Sequence, residues 1–280
     1  MRSVRTVLVL LSILGVTGVA AAARAEGVVS LKDPSGDDNG PGSYVYPTDA
    51  VYAAGAFDIT AFDVEVKGSD VTFKVTVRSK IDDPWDSKSW PGGGNGFSLQ
   101  FAQVYIDTDH KEGSGFRDAL PGLNVRFRPE SAYEKVVLLS PQNRPRLQSE
   151  VAAKAGALKG AVVIPKSTRV QGKSIVATVD AKDLGGVPAK GWGYAVLMQS
   201  NEGFPASTDL LSRKVNELAG QHRFGGGSDW ECDPHVIDLV AAPGKGGADE
   251  AKAQHDQLAY KCDANNPDAT PKVELPMVYP

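Results

Sequence analysis

Phe57-Asp58-Ile59-Thr60-Ala61-Phe62-Asp63-Val64-Glu65-Val66-Lys67-Gly68-Ser69-Asp70-Val71-Thr72-Phe73-Lys74-Val75-Thr76-Val77 decides the fold class. Phe62, Val64 and Val66 alternate with Asp63, Glu65 and Lys67. After a Gly68-Ser69-Asp70 turn, Val71, Phe73, Val75 and Val77 alternate with Thr72, Lys74 and Thr76. Successive side chains of a strand point to opposite faces, so this period of two on both sides of a short glycine turn predicts an antiparallel hairpin with one apolar and one wet face.

Outward from the hairpin the same reading recurs. Ser98–Asp107, Asn124–Arg128, Tyr133–Leu139, Ala161–Ile164, Arg169–Gln171, Ser174–Val179 and Gly193–Gln199 are strand candidates, with turns at Gly172-Lys173 and Gly185-Gly186. Helical signal is confined to Glu150–Leu158 and Gly247–Tyr260, and Asn265–Pro280 reads as an extended tail with few core residues. Many short strands with little helix predict an all-β antiparallel sandwich with short helical and coil additions.

The chain of 280 residues has 41% hydrophobic and 23% charged residues, the balance of a globular protein. Arg2, Arg5 and Arg24 precede any acid, which leaves 27 basic against 34 acidic residues after Ala25. An acidic chain of this kind is not a sequence-independent nucleic-acid binder. The basic start, the apolar run Val7–Val19 and Ala23-Arg24-Ala25 read as a secretory signal over residues 1–25, cleaved after Ala25. An uncleaved anchor is the alternative, although the run is shorter than the about 20 residues of a spanning helix. The expected product is an exported protein with no membrane span, in the periplasm, at the cell surface or secreted. In an oxidising compartment Cys232 and Cys262 are expected to pair, closing a loop that contributes about 3 kcal/mol on the chain-entropy account. A zinc site with His222, His235 or His255 is the other use of these cysteines, but the ligand spacing of such sites is missing. The expected organisation is a sandwich domain over 26–242 and an extension over 243–280 tied back by the disulfide.

No nucleophile elbow and no phosphate-loop pattern is present, and the four histidines are not grouped with a nucleophile. The chain therefore reads as non-catalytic. A glycosidase needs only two spaced carboxylates, and 34 acids leave that option open. The chemistry-bearing stretch is Asp33-Pro34-Ser35-Gly36-Asp37-Asp38-Asn39-Gly40-Pro41-Gly42, where close carboxylates in a bent loop suit the oxygen-rich shell of calcium. A simply solvated loop is the competing reading. Asp107 and Asp109, with Glu112 and Gly113 after a strand end, offer a second such place. Trp85 and Trp90 lie in a polar connection where indoles could stack on sugar rings or fold over the sandwich edge, whereas Trp192 and Trp230 are expected in the core.

Asp33 to Thr48, Gly55-Ala56-Phe57-Asp58-Ile59, Val104 to Thr108, Gly191-Trp192-Gly193-Tyr194, Phe224 to Gly227 and Pro234 to Leu239, taken in order, resemble the carboxy-terminal binding module of glucodextranase. The resemblance covers about Val28 to Val240. It implies a sandwich of jelly-roll type, similar to family 9 carbohydrate-binding and DOMON-like domains, with polysaccharide (an α-glucan or a cell-envelope glycan) as partner. It also implies structural calcium at Asp33, Asp37 and Asp38, with Asp58 a further ligand. Some DOMON members hold haem or another small molecule. Here His110, His222, His235, His255, Met198 and Met277 are the axial candidates, and no C-x-x-C-H attachment motif exists.

Overall fold

A computed structural model describes residues 26–230, 232–263, 265–266 and 272–280, and the expected signal over residues 1–25 lies outside them. The predicted hairpin is formed by β2 (Ile59–Lys67) and β3 (Asp70–Val77), with Lys67 opposite Asp70 across the turn. Around it, one antiparallel sheet runs in the order β1-β2-β3-β9-β8, where β1 is Glu26–Lys32, β8 Ser167–Gln171 and β9 Ser174–Asp180. Its wet face carries the polar half of the alternation. Lys74 meets Asp63 at 3.3 Å, and Thr76 meets Ser174 at 2.8 Å, cross-strand pairs that reinforce the ladder.

The second sheet runs β11-β10-β4-β6-β7 and consists of β4 (Gln100–Asp107), β6 (Lys135–Leu139), β7 (Val162–Val163), β10 (Gly193–Ser200) and β11 (Asp238–Leu239). Every residue of β4 and β10 is buried. Alternate positions serve two different cores. Ala102, Val104, Ile106, Val137, Leu139, Tyr194, Val196 and Met198 face the first sheet. Phe101, Tyr105, Val136, Leu138, Ala195 and Leu197 face a second apolar layer. That layer is closed by α1 (Arg144–Lys154), α2 (Ala248–Leu258) and a parallel pair of β5 (Val125–Phe127) with β12 (Val273–Leu275). A sheet buried on both faces reads as continuous apolar sequence, which is why these strands lack the clean alternation of the hairpin.

The sandwich and the second helix follow the expectation, whereas the first helix, expected over Glu150–Leu158, lies earlier at Arg144–Lys154, where Asn143 caps its start and Gly156 follows its end. The departures are local. The sheets are mixed rather than wholly antiparallel, since β6 pairs with β7 in parallel, as does β5 with β12. The carboxy-terminal segment is not an extended tail: Leu275, Met277 and Val278 are buried, because β12 finds a partner in β5 and covers the outer core. Trp192 is buried as expected, but Trp230 is 58% exposed, held in a polar turn by Ser228. Cys232 and Cys262 form a disulfide with their Cα atoms 5.5 Å apart, tethering the segment after α2 to the body. No helix among the described residues is long and apolar enough to cross a membrane.

Phe62 is fully buried and touches both sheets, stacking on Phe73 of β3 and meeting Tyr194 of β10 at a tilt. Phe62→Ala should lower unfolding free energy by about 3–5 kcal/mol in urea titration, whereas half-exposed Val187→Ala should cost less than about 0.5 kcal/mol. Equal effects would mean that the sandwich is not closed through Phe62.

Candidate metal centre and adjoining cleft

Residues 33–44 form a loop that the backbone pins on two sides. Asp33 N–H donates to Thr60 O at the start of β2, and Gly40 N–H donates to Ile237 O beside β11. Gly36 has φ 96°, which turns its N–H toward Asp58 Oδ2 at 2.8 Å. Gly40 lies against the ring of Tyr44 so closely that an added Cβ would stand 2.3 Å from it. Only glycine combines such backbone angles with such an approach.

This bend carries Asp33 and Asp37 to Asp238 of β11, and one carboxylate oxygen from each lies within 4.8 Å of the others. All three are buried. Both oxygens of Asp33, both of Asp37 and Oδ1 of Asp58 have no hydrogen-bond donor. Asp238 is better served, by Ile59 N–H at 2.5 Å and Leu239 N–H at 2.8 Å. Asp58 is also paired with Arg78 at 2.7 Å, while Asp38 points its Oδ2 to the Tyr46 hydroxyl. Asp38 and Asp58 therefore flank the trio without belonging to it. From the far side α2 brings buried Glu250, whose oxygens accept from Lys245 N–H at 2.6 Å and Gly246 N–H at 2.7 Å. It also brings Gln254, which bridges Leu239 N–H and Asp37 O.

The electrostatics are costly without a counter-ion. Two like charges 4 Å apart repel by about 4 kcal/mol at an effective dielectric constant of about 20. Burial, then Asp37 and Glu250, hold the Asp33 carboxyl well above the usual range. Burial, then Asp33 and Asp37, do the same to Asp238. Burial pushes Asp37 up to about 7 and Asp58 up to about 6, with neighbouring carboxylates adding to both. Orphaned acceptor oxygens at one buried place form a hard, oxygen-only donor set of the kind that calcium takes.

The second acidic group differs. Asp107 and Asp109 converge with Glu134, yet their oxygens have donors. Asp107 accepts from His110 N–H at 2.6 Å and the Tyr279 hydroxyl at 2.6 Å, Asp109 from Ser114 Oγ at 2.9 Å, and Glu134 from Thr108 N–H at 2.8 Å. These bonds close the loop after β4 and tie the carboxy terminus to it.

The Trp85 and Trp90 connection borders a cleft of about 510 Å³. Trp90 Nε1 donates to Trp85 O at 3.0 Å, and Asn143 Nδ2 reaches Pro91 O at 2.9 Å and Gly93 O at 2.7 Å. Asn143 also caps α1 through Arg146 N–H, so one side chain fixes the tryptophan loop against the helix. Trp85 is half-buried, resting on the inter-sheet core while its ring borders the cleft, with the Arg213 guanidinium 5.5 Å from the ring centre. Phe204 stands at the rim, 95% exposed. The axial candidates have other surroundings. His110 stacks on Tyr279, His255 bonds Asn39, His235 accepts from Val215 N–H, His222 borders the cleft, and Met198 and Met277 lie in the two apolar cores.

Sequence reasoning passed over Asp238, Glu250, Gln254 and Glu134. Asp238 had a signal, a lone acid inside Val236-Ile237-Asp238-Leu239-Val240, because a charge in an apolar strand needs a partner. The others are reached only through tertiary contact.

In metal-free protein the folded state keeps on Asp37 and Asp58 protons that the unfolded state gives up near 3.8, holding them up to about 7 on Asp37 and about 6 on Asp58. The native state binds more protons in that window, so stability falls as pH rises through it. Chelated protein should melt lower at about pH 8 than at about pH 5, and Asp37→Asn should flatten the slope. A melting temperature that rises over this range in chelator would contradict the reading.

The family model described as the C-terminal, SLH-like binding module of glucodextranase matches residues 28–273, past Val240 and through α2 and Cys262. No curated protein matches the chain. With a match over most of its length, the chain belongs to the family of C-terminal SLH-like binding modules of glucodextranase.

Proposed function

We propose that the protein is an exported, non-catalytic module that binds polysaccharide, an α-glucan or a cell-envelope glycan, in the Trp85 and Trp90 cleft. A calcium ion held by Asp33, Asp37 and Asp238, with Asp58 beside them, gives the module its shape. The family, a binding module of glucodextranase, supports binding to carbohydrate. The observation that carries the site is the cleft itself: two indoles and the exposed Phe204 ring around about 510 Å³, braced by Asn143. Apolar sugar faces stack on such rings, and their hydroxyls find Gln142, Asn201 and His222 along the walls.

A non-catalytic role agrees with the acid in the cleft. Glu202 is bound by Arg213 at 3.0 Å and by Arg223 at 3.4 Å. Although burial works against it, Arg213 and the Phe204 N–H hold its pKa below the usual range. A carboxylate so paired is a poor proton donor for glycoside cleavage.

The calcium reading rests on the five carboxylate oxygens that lack donors. Its chemistry there is charge compensation, not catalysis. The Asp107, Asp109 and Glu134 oxygens are already occupied by donors, and the proposal is confined to the first cluster.

Calcium at a hundred times its dissociation constant should stabilise the fold by about 2.7 kcal/mol, a rise in melting temperature of about 5–10 °C for a domain of this size. Asp33→Asn should abolish the rise. No change in melting temperature between calcium and exhaustive chelation would remove the ion from the proposal. On an immobilised array of dextran, pullulan, starch and envelope glycans, Trp90→Ala should weaken retention by about tenfold or more. Undiminished retention by that variant would place binding elsewhere on the surface.

A further inference from the structure

The cleft carries more positive charge than its family or its tryptophans require. Its two neighbouring carboxylates are each shared by two cations. Glu150 meets Arg146 at 2.7 Å and Lys154 at 2.8 Å, while Glu202 meets Arg213 and Arg223. Each trio is left with an excess positive charge, on a chain whose overall charge is −4. Of these cations Arg146 is the one that both lines the cleft and has donors to spare. Its acceptors, Glu150 and Gly203 O, are both reached through Nη2, and Nε and Nη1 have no partner among the described residues. Its side chain is 42% exposed and lines the cleft.

The position of Arg146 on its helix points the same way. Acidic residues favour the first turn of a helix, where the dipole is positive, and cations are disfavoured there. The first turn of α1 holds Arg144 and Arg146 and no acid. Arg144 turns away to the carbonyls of Ile164 and Pro165, at 3.3 and 3.2 Å. Arg146 remains at the cleft, where its charge adds to the helix dipole instead of cancelling it. Beside it in the cleft Asn201, 1% exposed, keeps Oδ1 without a donor, an acceptor suited to a sugar hydroxyl and not to the anionic group itself.

We infer that the saccharide this cleft takes is anionic: a glycan bearing carboxylate or phosphate groups, whose ring lies on Trp85 and Trp90 and whose charge lies at Arg146. The inference rests on the polysaccharide reading above and adds the sign of the ligand's charge. Charge-assisted hydrogen bonds to a planar guanidinium suit both groups.

Retention of the full exported chain on polygalacturonate and on a polyglycerol-phosphate glycan, compared with pullulan, tests this in about 20 mM and about 300 mM salt. The expected result is at least about tenfold stronger retention of one anionic glycan over pullulan at low salt, shrinking at high salt. The anionic glycan that is retained identifies its source as uronate or phosphodiester. Arg146→Gln should narrow the anionic-to-neutral ratio, and Arg146→Lys should restore part of it; circular dichroism melts of both variants verify the fold. Pullulan retained as strongly as both anionic glycans, or a ratio unmoved in Arg146→Gln, would overturn the inference and leave the binding reading intact. No retention of any glycan at either salt would overturn both.

Discussion

Four separate segments converge on one buried place with nothing but negative charge to offer one another. Asp33 and Asp37 come from the amino-terminal loop, Asp58 from the start of β2, Asp238 from β11, and Glu250 from α2. Repulsion among these groups sets the terms for the rest of the end of the sandwich. Part of it is offset by backbone N–H donors and by Arg78, which serve Asp238, Glu250 and one oxygen of Asp58. The oxygens of Asp33 and Asp37 receive no such help. A dication at this point would convert the least favourable part of the fold into a cross-link between the loop after the first strand and β11 of the second sheet.

The same loop connects this end to the cleft. Tyr46, whose hydroxyl reaches Asp38, packs its ring on Phe57 and Phe224. Tyr52 continues the aromatic row from Phe57 and Phe224 to Trp85 and His222, and its hydroxyl accepts from Arg213 at 2.8 Å. The floor of the cleft is thus built on the segment that the acidic cluster anchors. Each wall has its own support: Asn143 for the tryptophan loop, Arg213 for Glu202 and the His222 backbone. A rigid scaffold holding a loop-built recognition surface is the usual division of labour in binding modules.

The two sheets also explain why different parts of the chain differ in legibility. The hairpin of β2 and β3 has one wet face, so Asp63, Glu65, Thr72 and Lys74 mark the period of two without ambiguity. In β4 and β10 both faces are buried, and the alternation is between two cores, so the few polar residues there, such as Gln100, Gln103 and Gln199, are buried and mark no wet face. Their strand character was still readable from length and apolar content. The residues at the carboxy terminus were not readable as core, because β12 is three residues long and is stabilised by β5, well over a hundred positions earlier.

The amino-acid sequence by itself determined the all-β sandwich, the acidic Asp33 to Asp38 loop and the tryptophan connection, since each is written in neighbouring residues whose periodicity, turn chemistry or side-chain type acts locally; the pairing of Cys232 with Cys262 was legible because the chain holds only two cysteines. Only the tertiary structure decided which carboxylates share a centre. Asp33 and Asp37 join Asp238, with Glu250 acting on them only through its charge, while Asp38 is drawn off by Tyr46, and Asp107 and Asp109 are bound up with Glu134 and Tyr279. It also brought Arg146, Glu202, Arg213 and His222 to the two tryptophans. Coulombic and hydrogen-bonding energies depend on distance in space and on the exclusion of water, and neither quantity exists until the sheets close and α2 is tied across them.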